Sequence, residues 1–326
     1  MKKYLIKPTL VFLIGLTLVS CRKEELPVRA PDLGNITTSK VELSSTYENQ
    51  VYFDLSSNSN KGTSNKIDWD LGFSCATGNP YIIINTSKVM LASLVSDKTF
   101  SEISNTSNFN SSTKVDHPTG RIDSLAIKGG SIFVLDRGYN GAGTHQGYFK
   151  MEILSHDNST FTGKFANVDG SNEQTITINK NSTYNFVYMK WNPTSVITTP
   201  TIEPAKEEWD LIFTQFTEIF YEPEFMPYSV VGCLSNTYNT KSLRITEKTF
   251  DEIDLEYAET LTLSTDRDRI GYNWKTFMFE QNKYVIDYNK IYVIQDNEGF
   301  FYKLRFVDFY SSTGVKGTPT FEYQRL

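Results

Sequence analysis

Residues 68–73 read DWDLGF, and residues 208–213, which begin 140 positions later, read EWDLIF. Alternate side chains of a β-strand point to opposite faces, so this pattern sends Trp69, Leu71 and Phe73 to one face and the acidic residues to the other. Large apolar side chains contribute about 1.5–3 kcal/mol each when they are fully buried. The pattern therefore predicts that each copy forms a strand at the centre of a hydrophobic core.

Three further pairs of segments repeat in the same order along the chain. Four of these segments alternate as strands do, and the other two indicate short helical turns capped by threonine or serine. Collinear repeats of this kind predict an internal duplication, and chance similarity among alternating sequences is the alternative. The pairs are residues 45–53 with 182–189, 97–103 with 247–253, and 147–153 with 300–306.

The aromatic content supports a β fold. Aromatic residues make up 14% of the chain, with 19 tyrosines and 22 phenylalanines, and such residues favour strands. The sequence therefore predicts an all-β protein with two related, mostly antiparallel lobes and few short helices. The predicted lobes span residues 41–179 and 180–326, and each is long enough to bury a core.

The amino terminus has the features of a bacterial lipoprotein signal. Residues 1–20 combine early lysines with an apolar run at residues 9–19, which is too short to span a membrane. The run ends in LVSC, so Cys21 is predicted to be the first mature residue and to carry acyl chains. The alternative is an ordinary secretory signal in which Cys21 is incidental.

The segment after Cys21 predicts a tether and a location. Residues 22–25 read RKEE, which resembles the signal that sends lipoproteins of Bacteroidota to the outer face of the outer membrane. Residues 21–40 are polar and contain prolines, which is typical of a flexible linker. We therefore expect a protein held at the cell surface by lipid at Cys21.

Charge and histidine content argue against two classes of function. The net charge is -6 and the pI is about 5.3, so the chain has no basic field that would hold nucleic acid. The sequence has three histidines and no Gly-x-Ser-x-Gly motif, so no hydrolase constellation is recognisable. We therefore predict a protein that is not an enzyme and does not bind nucleic acid.

Two cysteines remain after the lipidation site, Cys75 and Cys233. One pair of cysteines does not define a disulfide framework. The two residues either bond to each other, if the halves touch there, or stay as separate buried thiols.

Four segments of the chain carry a family resemblance, namely 209–214 (WDLIFT), 268–275 (DRIGYNWK), 299–310 (GFFYKLRFVDFY) and 314–324 (GVKGTPTFEYQ). They resemble the HmuY family of lipoproteins. The resemblance covers most of residues 41–326 and implies an all-β lipoprotein of the outer membrane or cell surface of Bacteroidota. It also implies that the protein captures heme and passes it to a TonB-dependent receptor. In heme-binding members, two histidines or two methionines hold the iron from loops near the Trp-Asp motif.

The chain departs from this family pattern directly after its two motifs. Ser74 and Thr214 stand there, and neither side chain is a useful ligand for heme iron. The remaining candidates for iron ligation are Met226, Met90 and His145. Core packing is the alternative for the two methionines, and a solvated turn is the alternative for the histidine.

Aromatic residues surround Met226 in the segment 220–228 (FYEPEFMPY). Tyr221, Phe225 and Tyr228 are therefore predicted to contact a planar ligand. The first hypothesis is that the protein binds heme or a related porphyrin for nutrient acquisition. The alternative is a family member that does not coordinate heme and binds a glycan, a peptide or an outer-membrane receptor protein through the same aromatic residues.

Overall fold

The computed structural model describes residues 34–78, 81–109, 115–120 and 129–326. The predicted signal peptide and Cys21 lie outside the described residues. Within them the chain is all-β, with antiparallel sheets, one α-helix and several short 3-10 helices, which confirms the predicted fold class.

Nineteen strands are present in the described residues, ten before residue 180 and nine after it. The first half contains β1 (Thr37–Lys40), β2 (Asn49–Asp54), β3 (Ser59–Asn65), β4 (Leu71–Ser74), β5 (Ile82–Ile84), β6 (Leu91–Val95), β7 (Ile132–Asp136), β8 (Tyr148–His156), β9 (Thr160–Asn167) and β10 (Gln174–Asn179). The second half contains β11 (Phe186–Met189), β12 (Leu211–Phe220), β13 (Met226–Ser235), β14 (Lys241–Ile245), β15 (Lys275–Met278), β16 (Lys283–Ile286), β17 (Ile291–Gln295), β18 (Phe301–Tyr310) and β19 (Lys316–Arg325). The helices are α1 (Leu255–Thr260) and the 3-10 helices Lys66–Asp68, Thr86–Lys88, Phe100–Glu102, Thr106–Asn108, Phe250–Glu252, Arg267–Arg269 and Phe279–Gln281.

The strands form two lobes, each with a five-stranded sheet and a smaller sheet. The first lobe has the orders β10-β9-β8-β7-β6 and β11-β4-β5, and its core is filled from both sheets. The second lobe has the orders β1-β19-β18-β17-β14 and β13-β12-β2-β3, together with the β15–β16 hairpin. Its core brings β2 and β12 against β17, β18 and β19.

Each motif strand pairs with a strand that lies before the other motif in sequence. β4 holds the first motif and pairs with β11, so that Phe73 faces Val187. β12 holds the second motif and pairs with β2, so that Phe213 faces Val51. The two halves of the chain therefore exchange strands, and neither smaller sheet is complete without the other half.

Strand pairing does not follow the predicted boundaries. β11 follows the boundary at residues 179 and 180 but lies in the first lobe, whereas β2 precedes it and lies in the second. Residues 37–40, the end of the predicted tether, form β1 and pair with β19. The physical reason is that each motif strand needs a neighbour on its open edge, and the exchanged strand supplies it. The division into domains stays a prediction.

The repeated segments adopt matching local structures. The 3-10 helices Phe100–Glu102 and Phe250–Glu252 confirm the predicted helical turns. In both, the preceding threonine donates its N–H and hydroxyl to the final glutamate at 2.7–2.8 Å. The ammonium groups of Lys150 and Lys303 lie 4.6 and 4.8 Å from the ring centroids of the two phenylalanines. These matching contacts are expected of a duplicated unit.

The motif tryptophans do not pack with the other apolar residues of the motif. Leu71 and Phe73 lie in the first-lobe core, but Trp69 lies in a separate cluster with Phe186 and Tyr188. The predicted single apolar stripe is therefore wrong for the tryptophan. The cause is local, since the 3-10 helix ends just before Trp69 and strand pairing begins only at Leu71. Trp209 is likewise separated from the core of its own strand.

Candidate functional site

The β12–β13 hairpin projects beyond the sheet that contains it. Strand β2 covers only residues 211–213 of β12, whereas β12 and β13 pair with each other over ten positions. The base of the projection is anchored by Thr217, whose hydroxyl donates to the carbonyl of Thr86 at 2.7 Å. We call residues 218–228 the arm. A two-stranded hairpin is at best marginally stable alone, so a contact made by the arm would help to order it.

The tip of the arm exposes five apolar or aromatic side chains. Phe220 pairs across the hairpin with Met226, and its ring packs edge-on against Tyr228 at 5.8 Å. Tyr221 and Phe225 form a second ring pair at 6.2 Å. The exposed fraction is 45% for Met226 and 63% for Tyr221. A contiguous apolar patch of this kind marks an interaction site more often than an incidental surface.

A second hairpin, β15–β16, lies beside the arm. Burial raises the pKa of Tyr284 in β16, and the neighbouring Tyr228 of the arm raises it further. Met278 and Phe279 are exposed at the turn of this hairpin, by 40% and 88%. We did not predict this surface from the sequence. The available signal was the apolar run at residues 277–279 immediately before a polar turn.

Of the three predicted iron ligands, only Met226 lies at the exposed tip of the arm. Met90 has an exposed fraction of 0% and packs inside the first-lobe core, so its thioether reaches a ligand only if the core opens. His145 has both ring nitrogens engaged. Its Nε2 lies 2.7 Å from Asp136 Oδ1, and its Nδ1 accepts the N–H of Gly147 at 3.3 Å.

The residues that follow the motifs are interior. Ser74 and Thr214 are both buried. The hydroxyl of Thr214 accepts a hydrogen bond from Gln50 Nε2 at 3.1 Å and lies 3.1 Å from the hydroxyl of Ser87. This position therefore connects the two lobes in the interior of the protein.

Asp70 of the first motif is the centre of a buried ion cluster. Lys88 donates to its Oδ1, and Arg137 donates to Oδ1 and Oδ2 at 3.2 and 3.1 Å. The N–H of Trp191 donates to Oδ2 at 2.8 Å. Burial alone would raise the pKa of Asp70, but the two cations more than offset burial and lower it.

Asp210 of the second motif also accepts backbone N–H groups, but its pKa shifts in the opposite direction. Its Oδ2 accepts the N–H of Leu55 at 3.0 Å, and its Oδ1 accepts the N–H of Asn297 at 3.1 Å. Burial raises the pKa of Asp210 to about 7, and the nearby carboxylate of Asp296 adds to the increase. Asp296 follows β17 as Arg137 follows β7. The N–H of Asp296 donates to the carbonyl of Phe300, and that of Arg137 to the carbonyl of Gly147, each at 2.9 Å.

The two remaining cysteines are free. Cys233 is buried in the second-lobe core, where burial raises its thiol pKa well above the ordinary value. Cys75 is half-buried, and its sulfur accepts the N–H of Asn181 at 3.4 Å. Of the two alternatives, the structure has separate thiols.

The family model described as "HmuY protein" matches residues 46–323. This chain belongs to the HmuY family. Two solved structures similar to this HmuY-family protein are apo PinO from Porphyromonas gingivitis and an apo HmuY analog from Tannerella forsythia. PinO is 9% identical, with 89% of this chain and 97% of that chain covered and a TM-score of 0.28. The analog is 10% identical, with 90% and 98% covered and a TM-score of 0.21.

An HmuY-like protein from Bacteroides vulgatus is 14% identical, with 54% of this chain and 90% of that chain covered and a TM-score of 0.17. No curated protein matches the chain. In the described part of this HmuY-family protein, no helix has the length and apolarity needed to cross a membrane. Within the same residues, no three or more histidine, cysteine, aspartate or glutamate side chains are grouped to hold a metal ion.

Proposed function

We propose that this HmuY-family protein binds heme or a related porphyrin for nutrient acquisition, through the arm of its second half. The observation that supports this most is the exposed tip, where Met226 stands among four aromatic rings. Thioether sulfur is a recognised ligand of heme iron, and aromatic faces pack well against a flat macrocycle. A binding role of this kind needs no catalytic residues.

The location follows from the amino-terminal sequence. We propose that acyl chains on Cys21 hold the protein at the outer face of the outer membrane, where heme would pass to a TonB-dependent receptor. Several acyl chains anchor a protein stably because each buried methylene contributes about 0.8 kcal/mol. Substitution of Cys21 by alanine should release the protein from the membrane fraction.

Titration with hemin tests the binding proposal. The purified protein should shift and sharpen the Soret band relative to free hemin, and Met226→Ala should abolish that change. Met278→Ala is the matched control, because Met278 is similarly exposed on the neighbouring hairpin. Equal losses in the two variants would indicate a general apolar contact in place of ligation by Met226. A spectrum equal to that of free hemin would end the proposal.

The alternative function uses the same arm without iron coordination. It is favoured by the settings of Met90, which is enclosed in the core, and His145, whose ring nitrogens are both engaged. In that case the tip contacts a glycan, a peptide or a receptor protein, since tyrosine and phenylalanine offer large contact area at small entropy cost. A pull-down from solubilised outer membrane that loses its partner on removal of the arm would support this alternative.

A further inference from the structure

A cavity separate from the arm lies between the two lobes. Its empty volume, including the part open to solvent, is about 850 Å³. Both motif tryptophans line it, each packed edge-on against a tyrosine of the exchanged strand. The ring centroids of Trp69 and Tyr188 are 4.9 Å apart, and those of Tyr52 and Trp209 are 5.0 Å apart. Strand exchange therefore gives this cavity aromatic walls from both halves of the chain.

Glu203 is a buried carboxylate in the wall of this cavity. Its exposed fraction is 4%. Its Oε1 accepts the N–H of Phe186 at 2.8 Å, and its Oε2 lies 3.4 Å from the Tyr188 hydroxyl and 3.5 Å from Asn185 Nδ2. All three donors are uncharged. A carboxylate that is buried without a cation is energetically unfavourable by several kcal/mol, so the site has an unmet preference for positive charge.

The other charged groups described in the cavity do not contact Glu203 as ion pairs. The positive charge of Arg267 lowers the pKa of Glu203, but less than burial raises it. The Nε of Arg267 donates to the carbonyl of Ser235 at 2.9 Å. His117 and Asp116 also line the cavity. Burial dominates, and the pKa of Glu203 is raised to about 7. In its ionised form the carboxylate therefore has no contact with a cation among the described residues, and a bound cation would stabilise that form.

We propose that the cavity between the lobes binds a small organic amine, with its cationic nitrogen at the Glu203 carboxylate and its substituents against Trp69 and Tyr188. The chemistry is that of an aromatic cage, in which ring faces attract a cation and a carboxylate neutralises it. The arm takes no part in this site, so the proposal is independent of heme binding.

Calorimetric titration of the full-length chain with choline tests the proposal. The matched ligand is 3,3-dimethylbutan-1-ol, which has the same shape without the charge. At pH 8, choline should bind at least about tenfold more tightly than the alcohol, because Glu203 is then ionised. Equal affinities, or no saturable heat with choline at millimolar concentration, would overturn the proposal.

Substitution of Glu203 and a change of pH test whether its negative charge binds choline. Glu203→Gln should remove the preference for choline, whereas Glu152→Gln, at a partly buried glutamate of β8 outside the cavity, should keep it. If Glu203→Gln does not fold, the unmodified protein still gives a test, because choline is cationic at every pH. Its affinity should fall at least about tenfold from pH 8 to pH 5, while that of the alcohol stays constant. A flat profile for choline, or an undiminished preference in Glu203→Gln, would contradict the proposal.

Discussion

The two Trp-Asp motifs share one backbone frame and differ in charge. Asp70 accepts the N–H of Trp191, just after β11, and Asp210 accepts that of Leu55, just after β2. Only Asp70 is paired with cations. The deciding position is the residue after the strand β7 or β17, which is Arg137 in the first half and Asp296 in the second. The motif therefore specifies the local fold, and a residue distant in sequence specifies the protonation of its carboxylate.

A second difference concerns the hairpin that begins at each motif. β4 and β5 pair at three positions, whereas β12 and β13 pair at ten and extend into the arm. Duplication thus supplied two similar frames, and within the part of the chain that the structure describes, only the second has a long projection with exposed aromatic residues. We infer that the heme-binding element proposed above belongs to this half.

The largest expected effect comes from neutralising the first motif. Asp70→Asn leaves Lys88 and Arg137 buried without their partner, so the free energy of unfolding should fall by about 3–5 kcal/mol. Asp210→Asn is the matched variant and should lose only about 1 kcal/mol at pH 7, the penalty for one backbone N–H that an amide nitrogen cannot accept. Urea unfolding measures both. Equal losses would contradict the difference in charge between the motifs.

The pH dependence of stability should have opposite signs for the two motifs. The folded pKa of Asp210 is raised to about 7, so its contribution is fully present below about pH 4 and is lost as the pH rises through 7. The folded pKa of Asp70 is lowered, so its contribution is present above about pH 4 and is lost as the pH falls.

Asp296→Asn sharpens this comparison. Its Oδ1 accepts the N–H groups of Glu298 and Phe300 at 3.0 and 2.7 Å, which asparagine can retain. Removing the charge beside Asp210 should increase the free energy of unfolding at pH 8 by about 1 kcal/mol and flatten the decline between pH 4 and 7. Asp97→Asn, at an exposed position, is the control and should change neither quantity. Denaturant midpoints across this pH range measure the effect.

The tryptophans offer a smaller, matched contrast. Trp69 Nε1 donates to Gln50 Oε1 at 2.9 Å, whereas Trp209 Nε1 is buried without an acceptor among the described residues. Trp69→Phe should therefore cost about 1 kcal/mol more than Trp209→Phe, because it also leaves the buried Gln50 oxygen unpaired. Thermal or urea unfolding of the two variants measures the difference. A larger loss in Trp209→Phe would mean that its indole N–H does have a partner.

The two repeated threonine turns should contribute equally to stability. Thr99 and Thr249 make the same two hydrogen bonds to the glutamate at the end of their 3-10 helices. Thr99→Ala and Thr249→Ala should therefore lower the midpoint of urea unfolding by the same small amount. Clearly different shifts would show that the two repeats are not equivalent at this turn.

Local patterns predicted the strands and turns, but not what they pair with. Alternation and the repeated threonine turns indicated the duplicated all-β fold, because these signals lie within a few residues. The exchange of β2 and β11 and the pairing of Asp70 with Arg137 depend on contacts between distant residues, for which one sequence holds no periodic signal. Met226 was predicted at the site because its neighbours are aromatic, and the exposed Met278 was missed because its apolar run resembles an ordinary strand.

The central claim is that the arm of the second half is the binding element. Replacing residues 218–228 by Asn-Gly should close a short hairpin between Thr217 and Ser229, which already face each other. The decisive measurement is the Soret spectrum of hemin with this shortened protein beside that of the unmodified one. If the arm binds hemin, the unmodified protein should give a shifted Soret band and the shortened one the spectrum of free hemin. The same shifted band in both proteins would contradict this claim.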